Sequence, residues 1–236
     1  MAALVAALLS AGLVDAAVAT AESACTDLKG DLQSGTVCHV LTTTPTYTLD
    51  MRFGTEYPDG AAVAAYLSGV RDDLVSRASA PNAPFLPYEV YVSSQSFSSG
   101  QPQRIVSEYG RPRHGTESLV LQVFRDIEGL PVRVKVKSFT YDHDQSRSVT
   151  FDNLFAPGGN PIDSIYPMVK ADLEKQLLAW HFTLKPEVGK DPNLYQNFAV
   201  TDDNVTFFFD QGQLASDKVG VLQVAVPRGV LPPLQI

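Results

Sequence analysis

Tyr195 to Phe209, reading YQNFAVTDDNVTFFF, constrains the fold of this chain more than any other stretch. Two apolar runs flank Thr201-Asp202-Asp203-Asn204. Asp and Asn bond nearby backbone and tolerate turn geometry, so the stretch predicts a β-hairpin. Side chains alternate in face along a strand, which puts Val205, Phe207 and Phe209 on one side and Phe208 on the other. Large apolar groups on both faces predict a central strand covered on both sides. Burying each Phe is worth about 1.5–3 kcal/mol, so this hairpin is expected to anchor a core.

The rest of the chain reads as strands interrupted by two helices. Thr36 to Leu41 predicts a short strand. Tyr47, Leu49, Met51 and Phe53 alternate with Thr46, Thr48, Asp50 and Arg52, a period of two that makes one face dry and one wet. Asp59 is a suitable N-cap for a helix whose Val63, Tyr66, Leu67, Val70 and Leu74 share one face. Ala80-Pro81 ends it. Tyr88 to Val92 predicts a strand, and Ser93 to Gly115, polar and aperiodic, a long exposed loop. Leu119 to Phe124 is apolar on both faces and reads as central. In the next strand Val132, Val134 and Val136 alternate with Arg133, Lys135 and Lys137. The apolar phase then jumps at Phe139 and Tyr141, which predicts a bulge near Ser138. Ser164 reads as the N-cap of a second helix with Pro167 in its first turn. Ile165, Met168, Val169, Leu173, Leu177 and Trp180 are its expected buried face. Val221 to Val226 is the last strand. This order, with short turns between neighbours, predicts an α+β fold with a mixed, mostly antiparallel sheet packed against two main helices.

The chain has 236 residues, enough for one large domain or two small ones. A net charge of −8 and a pI near 4.9 disfavour nucleic acid or an anionic membrane surface as partners. Met1 to Val18 is almost wholly Ala, Leu, Val and Gly, interrupted by Ser10 and Asp15. Asp15 leaves it short of the roughly 20 apolar residues of a membrane span, and Ala17-Val18-Ala19 and Ala19-Thr20-Ala21 fit a small-x-small cleavage pattern. Residues 1–24 therefore read as a secretory signal peptide, leaving no stable membrane span after cleavage. The first cation is Lys29, so the basic start of such a leader is missing from this sequence. Cys25 and Cys38 are the only cysteines, and in an oxidising compartment they are expected to pair. Glu22, three before Cys25, argues against a lipobox.

The catalytic motifs sought are absent. There is no Gly-x-Ser-x-Gly, no Walker sequence and no Gly-x-Gly-x-x-Gly. Asp142-His143-Asp144 starts like a calcium loop, but Arg147 and Asn153 stand where such a loop needs Gly and Glu. His39, His114, His143 and His181 form no spaced pair, and no metal or cofactor is implied. The concentrated basic feature is Arg133, Lys135 and Lys137, a candidate docking face for an acidic partner.

Tyr195-Gln196-Asn197-Phe198-Ala199-Val200-Thr201, Phe207-Phe208-Phe209, Gly212-Gln213-Leu214 and Val224-Ala225-Val226-Pro227-Arg228 carry a family likeness. So do Thr36-Val37-Cys38, Tyr57-Pro58-Asp59, Thr150-Phe151-Asp152-Asn153-Leu154-Phe155 and Asp163-Ser164-Ile165-Tyr166-Pro167. Together they resemble the secreted mycobacterial immunogenic-protein family, over most of the chain after Cys25. The resemblance implies export, an α+β fold with a β-grasp-like portion, and a C-terminal half similar to that of a lysozyme-sensing anti-sigma factor. Short-chain esterase activity is also ascribed within that family, but the matched motifs carry no catalytic residue.

The chain is thus expected to be secreted or cell-wall associated. Residues 25–236 form one α+β domain, divisible into 25–98 and an anti-sigma-factor-like 116–236. The expected function is binding of an extracellular or host protein, and the alternative is a serine-dependent carboxylesterase acting on short-chain esters.

Overall fold

The structure, a computed structural model, describes residues 25–100, 114–127 and 130–236. The expected signal peptide, the Gln101–Arg113 part of the expected loop and residues 128–129 lie outside them.

Seven strands lie in chain order in one sheet: β1 (Asp31–Gln33), β2 (Val37–Thr43), β3 (Tyr47–Gly54), β4 (Tyr88–Ser99), β5 (Thr116–Asp126), β6 (Arg133–Asp142) and β7 (Arg147–Val149). Every pairing is antiparallel except β3 with β4, which are joined by the crossover helix α1 (Gly60–Ala78). A parallel pair needs such a crossover, because a tight turn can only reverse the chain. Asp59 caps α1 by accepting from the Ala62 N–H at 3.1 Å. The helix buries Val63, Leu67, Val70 and Leu74 against Leu49, Met51 and Phe53 of β3, Val90 and Val92 of β4, and Leu119, Leu121 and Val123 of β5. The dry face expected of β3 is therefore the α1 face.

A second layer follows: a short helix α2 (Phe151–Leu154), a long one α3 (Pro161–Gln176), a turn of helix α4 (Pro186–Gly189), and a sheet of β8 (Phe198–Val200), β9 (Asn204–Phe209) and β10 (Leu222–Pro227), with β9 central. The expected hairpin is β8–β9, with Phe198 opposite Phe207 and Val200 opposite Val205. Its turn is fastened mainly by Thr201, whose N–H donates to Asn204 O at 2.9 Å and whose hydroxyl accepts from Asn204 N at 3.1 Å. Val205, Phe207 and Phe209 enter a core with Ile165, Val169 and Leu173 of α3, while Phe208 turns to the other side and meets Val120, Val136 and Ala199.

Side-chain hydroxyls join the two layers. The outward N–H groups of Phe198 and Val200 donate to Ser138 Oγ at 2.8 Å and Ser118 Oγ at 3.2 Å, and Phe198 O accepts from Thr140 Oγ1 at 3.3 Å. All three hydroxyl-bearing residues are buried. They satisfy the free edge of β8, which would otherwise carry unpaired backbone groups in the interior. The exposed edge of β6 is closed in the same way, from the other side: Val136 N donates to Asp210 Oδ1, Val134 N to Gln211 Oε1 and Ser138 N to Asn197 Oδ1.

Four local expectations need correction. Ser93–Ser99 is strand, not loop, because eleven consecutive residues of β4 pair with β5. There is no bulge near Ser138: the β5–β6 register runs unbroken from Arg125 opposite Arg133 to Thr116 opposite Asp142. The apolar phase changes because the cover changes. Val136 faces β8–β9, whereas Phe139 on the other face packs on Tyr57 and Tyr66. Helix α3 starts a turn earlier than Ser164, because Asn160 accepts from Ile162 N and Pro161 has no N–H to satisfy. Its buried stripe is Ile162, Ile165, Val169 and Leu173. Met168 falls off the stripe, and Trp180 lies beyond the helix end; both are exposed.

Candidate functional site

Cys25 and Cys38 are bonded, with Cα atoms 5.6 Å apart. The bond ties a helical turn at residues 25–27 to β2. Gly30 lies so close over it that a Cβ there would meet Cys38 Sγ at 2.6 Å. This is a structural cross-link, buried at both ends.

Arg133, Lys135 and Lys137 share one face of β6, opposite Arg125, Val123 and Leu121. Two of the three have intramolecular partners. Arg133 reaches Asp217 at 3.5 Å, and the Lys137 ammonium lies 5.2 Å from the centre of the Phe139 ring.

Three of the histidines have carboxylate partners that spacing could not nominate. His114 Nδ1 lies 2.7 Å from Asp144 Oδ1, and with it the Gly115 N–H holds the Asp144 carboxyl below the usual carboxylate range. His143 Nε2 lies 3.5 Å from Glu117 Oε2, on the row where Ser98, Glu117, Tyr141 and Ser148 are cross-strand neighbours. Tyr57 is near this row. Burial pushes its hydroxyl far above the ordinary tyrosine value, with Asp59 and Glu117 adding to the effect. No hydrogen bond between a serine hydroxyl and a histidine ring nitrogen is found among the described residues. Nor, among them, is any group of three or more His, Cys, Asp or Glu side chains placed to hold a metal ion.

His39 belongs to a different arrangement. Gln33 offers its Nε2–H to His39 Nδ1 at 3.0 Å, so the hydrogen on His39 Nε2 goes to Asp50 Oδ1, also at 3.0 Å. Arg52 Nε stands 3.5 Å from the same oxygen. This chain borders a groove of about 260 Å³ on the wet face of the large sheet, lined by Asp50, Arg52, Tyr91, Ser93, Gln122, Phe124 and Val134. Register alone brings them together: Asp50 lies beside Tyr91, Tyr91 beside Phe124, Phe124 beside Val134, and Ser93 beside Gln122. Tyr91 and Phe124 form a tilted ring pair, centres 5.8 Å apart. The Tyr91 hydroxyl donates to Glu89 Oε2 at 3.1 Å, which raises its pKa above the ordinary tyrosine value. The second layer covers this face only beyond Val120 and Val136, where Phe97 meets Phe208, and leaves the groove open.

A protein-family model described as a protein of unknown function, DUF3298, matches residues 152–229, the second layer. The chain is 39% identical over 229 residues, 97% of its length and 96% of the relative's, to a Mycobacterium tuberculosis protein named Esterase Rv3036c. It is 31% identical over 215 residues, 91% of its length and 89% of theirs, to immunogenic protein MPT64 of Mycobacterium tuberculosis and immunogenic protein MPB64 of Mycobacterium bovis. The crystal structure of a DUF3298 family protein from Pseudomonas aeruginosa PAO1 shares the fold, with a TM-score of 0.51 at 13% identity, over 87% of this chain and 99% of that one.

Proposed function

The chain belongs to the mycobacterial immunogenic-protein family of MPT64 and MPB64, and on that premise we propose that it is an exported binding module whose contact surface is the open face of its large sheet. The observation that carries this reading is the groove at Asp50, Arg52, Tyr91 and Phe124. An exposed tyrosine against a half-buried phenylalanine, with a few convergent polar groups, is how binding sites are commonly built. Export is supported by the apolar leader of the sequence and by the disulfide, which survives in oxidising compartments. Among the described residues no helix is long and apolar enough to cross a membrane. The cations Arg133, Lys135 and Lys137 form part of the same proposal as a separate contact for an acidic partner, because Lys135 and Lys137 lie on the face of β6 away from the groove.

A second reading, a serine esterase, is favoured by the name of the relative at 39% identity. The acid–base pair that lies in register with serines is Glu117 with His143, and the serines of that row are Ser98 and Ser148. Such an enzyme needs its nucleophile within hydrogen-bond reach of the base and a donor for the oxyanion.

One experiment separates the two readings. Purified mature protein is incubated with a fluorophosphonate probe and, separately, with a short-chain ester. The binding reading predicts no stoichiometric labelling and hydrolysis no faster than that of the Ser98→Ala/Ser148→Ala double variant. One serine labelled to completion, with hydrolysis lost on its change to Ala, establishes the esterase instead.

A further inference from the structure

We propose that the groove takes a neutral pyranose unit of an extracellular glycan, its ring face on the Tyr91–Phe124 pair and its hydroxyls on Asp50, Arg52, Ser93 and Gln122. This rests on the binding reading and names the ligand class for it.

Three observations lead to that class. The first is charge. Asp50 and Arg52, the two charged residues that line the groove, stand 3.5 Å apart and offset each other. The floor therefore offers no uncompensated cation for a phosphate or a carboxylate. A ligand complementary to it is itself neutral. The second is the form of the contact surface. β3, β4, β5 and β6 are all paired with their neighbours beneath the groove, so their backbone groups are committed. A peptide could not add to them as a strand, which is the commonest way a sheet binds an extended chain. Recognition here has to come from side chains standing on the sheet. The third is the mixture of those side chains. Tyr91 is 38% exposed and leans at 50° on the half-buried Phe124, so its ring offers an apolar face backed by a second ring. Around it stand a guanidinium, a carboxylate, an amide and a hydroxyl. Ser93 and Gln122 make no side-chain hydrogen bond among the described residues, so both are available to a ligand. A sugar ring has the matching composition: one face of C–H groups and a rim of hydroxyls that both donate and accept.

The neighbouring chain Gln33–His39–Asp50 fixes one of these groups in advance. With Asp50 Oδ1 already accepting from His39, its carboxylate is held in place, and its other oxygen is directed by that bond. Preorganisation of this kind lowers the ordering cost of binding. At about 260 Å³ the groove lies just below the range of enclosed small-molecule pockets. It is suited to seat part of a longer chain whose ends continue across the open face.

The test is saturation-transfer NMR of the intact mature protein with gluco-, manno- and chito-tetraose, and with hexaglutamate in parallel. The expected result is transfer to the ring protons of at least one tetrasaccharide. Tyr91→Ala should weaken it about three- to tenfold, the size of an aromatic contact, and Tyr91→Phe should keep it. Gln122→Ala, at an exposed position, gives a second variant whose folding is not in question. Transfer to none of the tetrasaccharides, or transfer unchanged in both Tyr91→Ala and Gln122→Ala, overturns the proposal. Transfer to hexaglutamate that is lost in Arg52→Ala overturns the glycan class and leaves the groove as a binding surface. The binding reading itself is tested separately, by the fluorophosphonate experiment.

Discussion

Phe207→Ala is expected to destabilise the protein by about 3–5 kcal/mol, the usual cost of emptying a large aromatic site in a packed interior. Phe207 is fully buried at the centre of the second core. Its ring meets Tyr195 edge-on at 5.2 Å and Phe151 at 6.3 Å, and it stands opposite both Phe198 and Val224 in the three-stranded sheet. These neighbours belong to α2, the segment before β8, and the flanking strands, which cannot close on the gap together. Urea unfolding of wild type and variant measures the loss. A loss below about 1.5 kcal/mol, the cost of a small core truncation, would show that β9 is not the anchor of its layer.

Reducing the disulfide is the second large effect. The bond joins residues 13 apart, and in the chain-entropy model a loop of this size is worth about 3 kcal/mol. Both sulfurs are buried, so reduction also leaves two thiols under Gly30, in a space shaped to a bond. The Cys25→Ser/Cys38→Ser double variant is therefore expected to unfold at lower urea, with the change read first in the turn at residues 25–27. Unfolding midpoints measured with and without reductant check this. Midpoints that coincide would mean that the N-terminal turn is held by Leu28 and its contacts alone.

Strands and the first helix were legible because one face of each is dry. The alternation through Tyr47, Leu49, Met51 and Phe53, and the 3-4 spacing from Val63 to Leu74, are local patterns with a local cause. The same alternation put Asp50 and Arg52 on the wet face of β3, which is the groove face. The groove itself was not legible. Its residues come from four strands, and only cross-strand register makes Tyr91 a neighbour of both Asp50 and Phe124. The junction between the layers was hidden for a different reason. Ser118, Ser138 and Thr140 look solvated in sequence, yet they are buried because they serve the edge of β8. Ser93 to Ser99 looks like loop in sequence for a related reason: its conformation is dictated by pairing with β5, and its own side chains carry little apolar period. Carboxylate partners for His39, His114 and His143 are likewise products of register and turns, at separations of 11, 30 and 26 residues.

The central claim is that the protein acts through the Tyr91–Phe124 face of its large sheet. Hydroxyl-radical footprinting tests it most directly, with the mature protein alone and then with a neutral tetrasaccharide, an acidic peptide and an intact basic protein in turn. Tyr91 and Trp180 are both exposed aromatics, on different layers, so one reports on the groove and the other serves as an internal control. The account predicts that at least one ligand slows oxidation of Tyr91 and Phe124 and leaves Trp180 unchanged. Protection of Trp180 with Tyr91 unchanged, or protection of neither by any of the three, would contradict it.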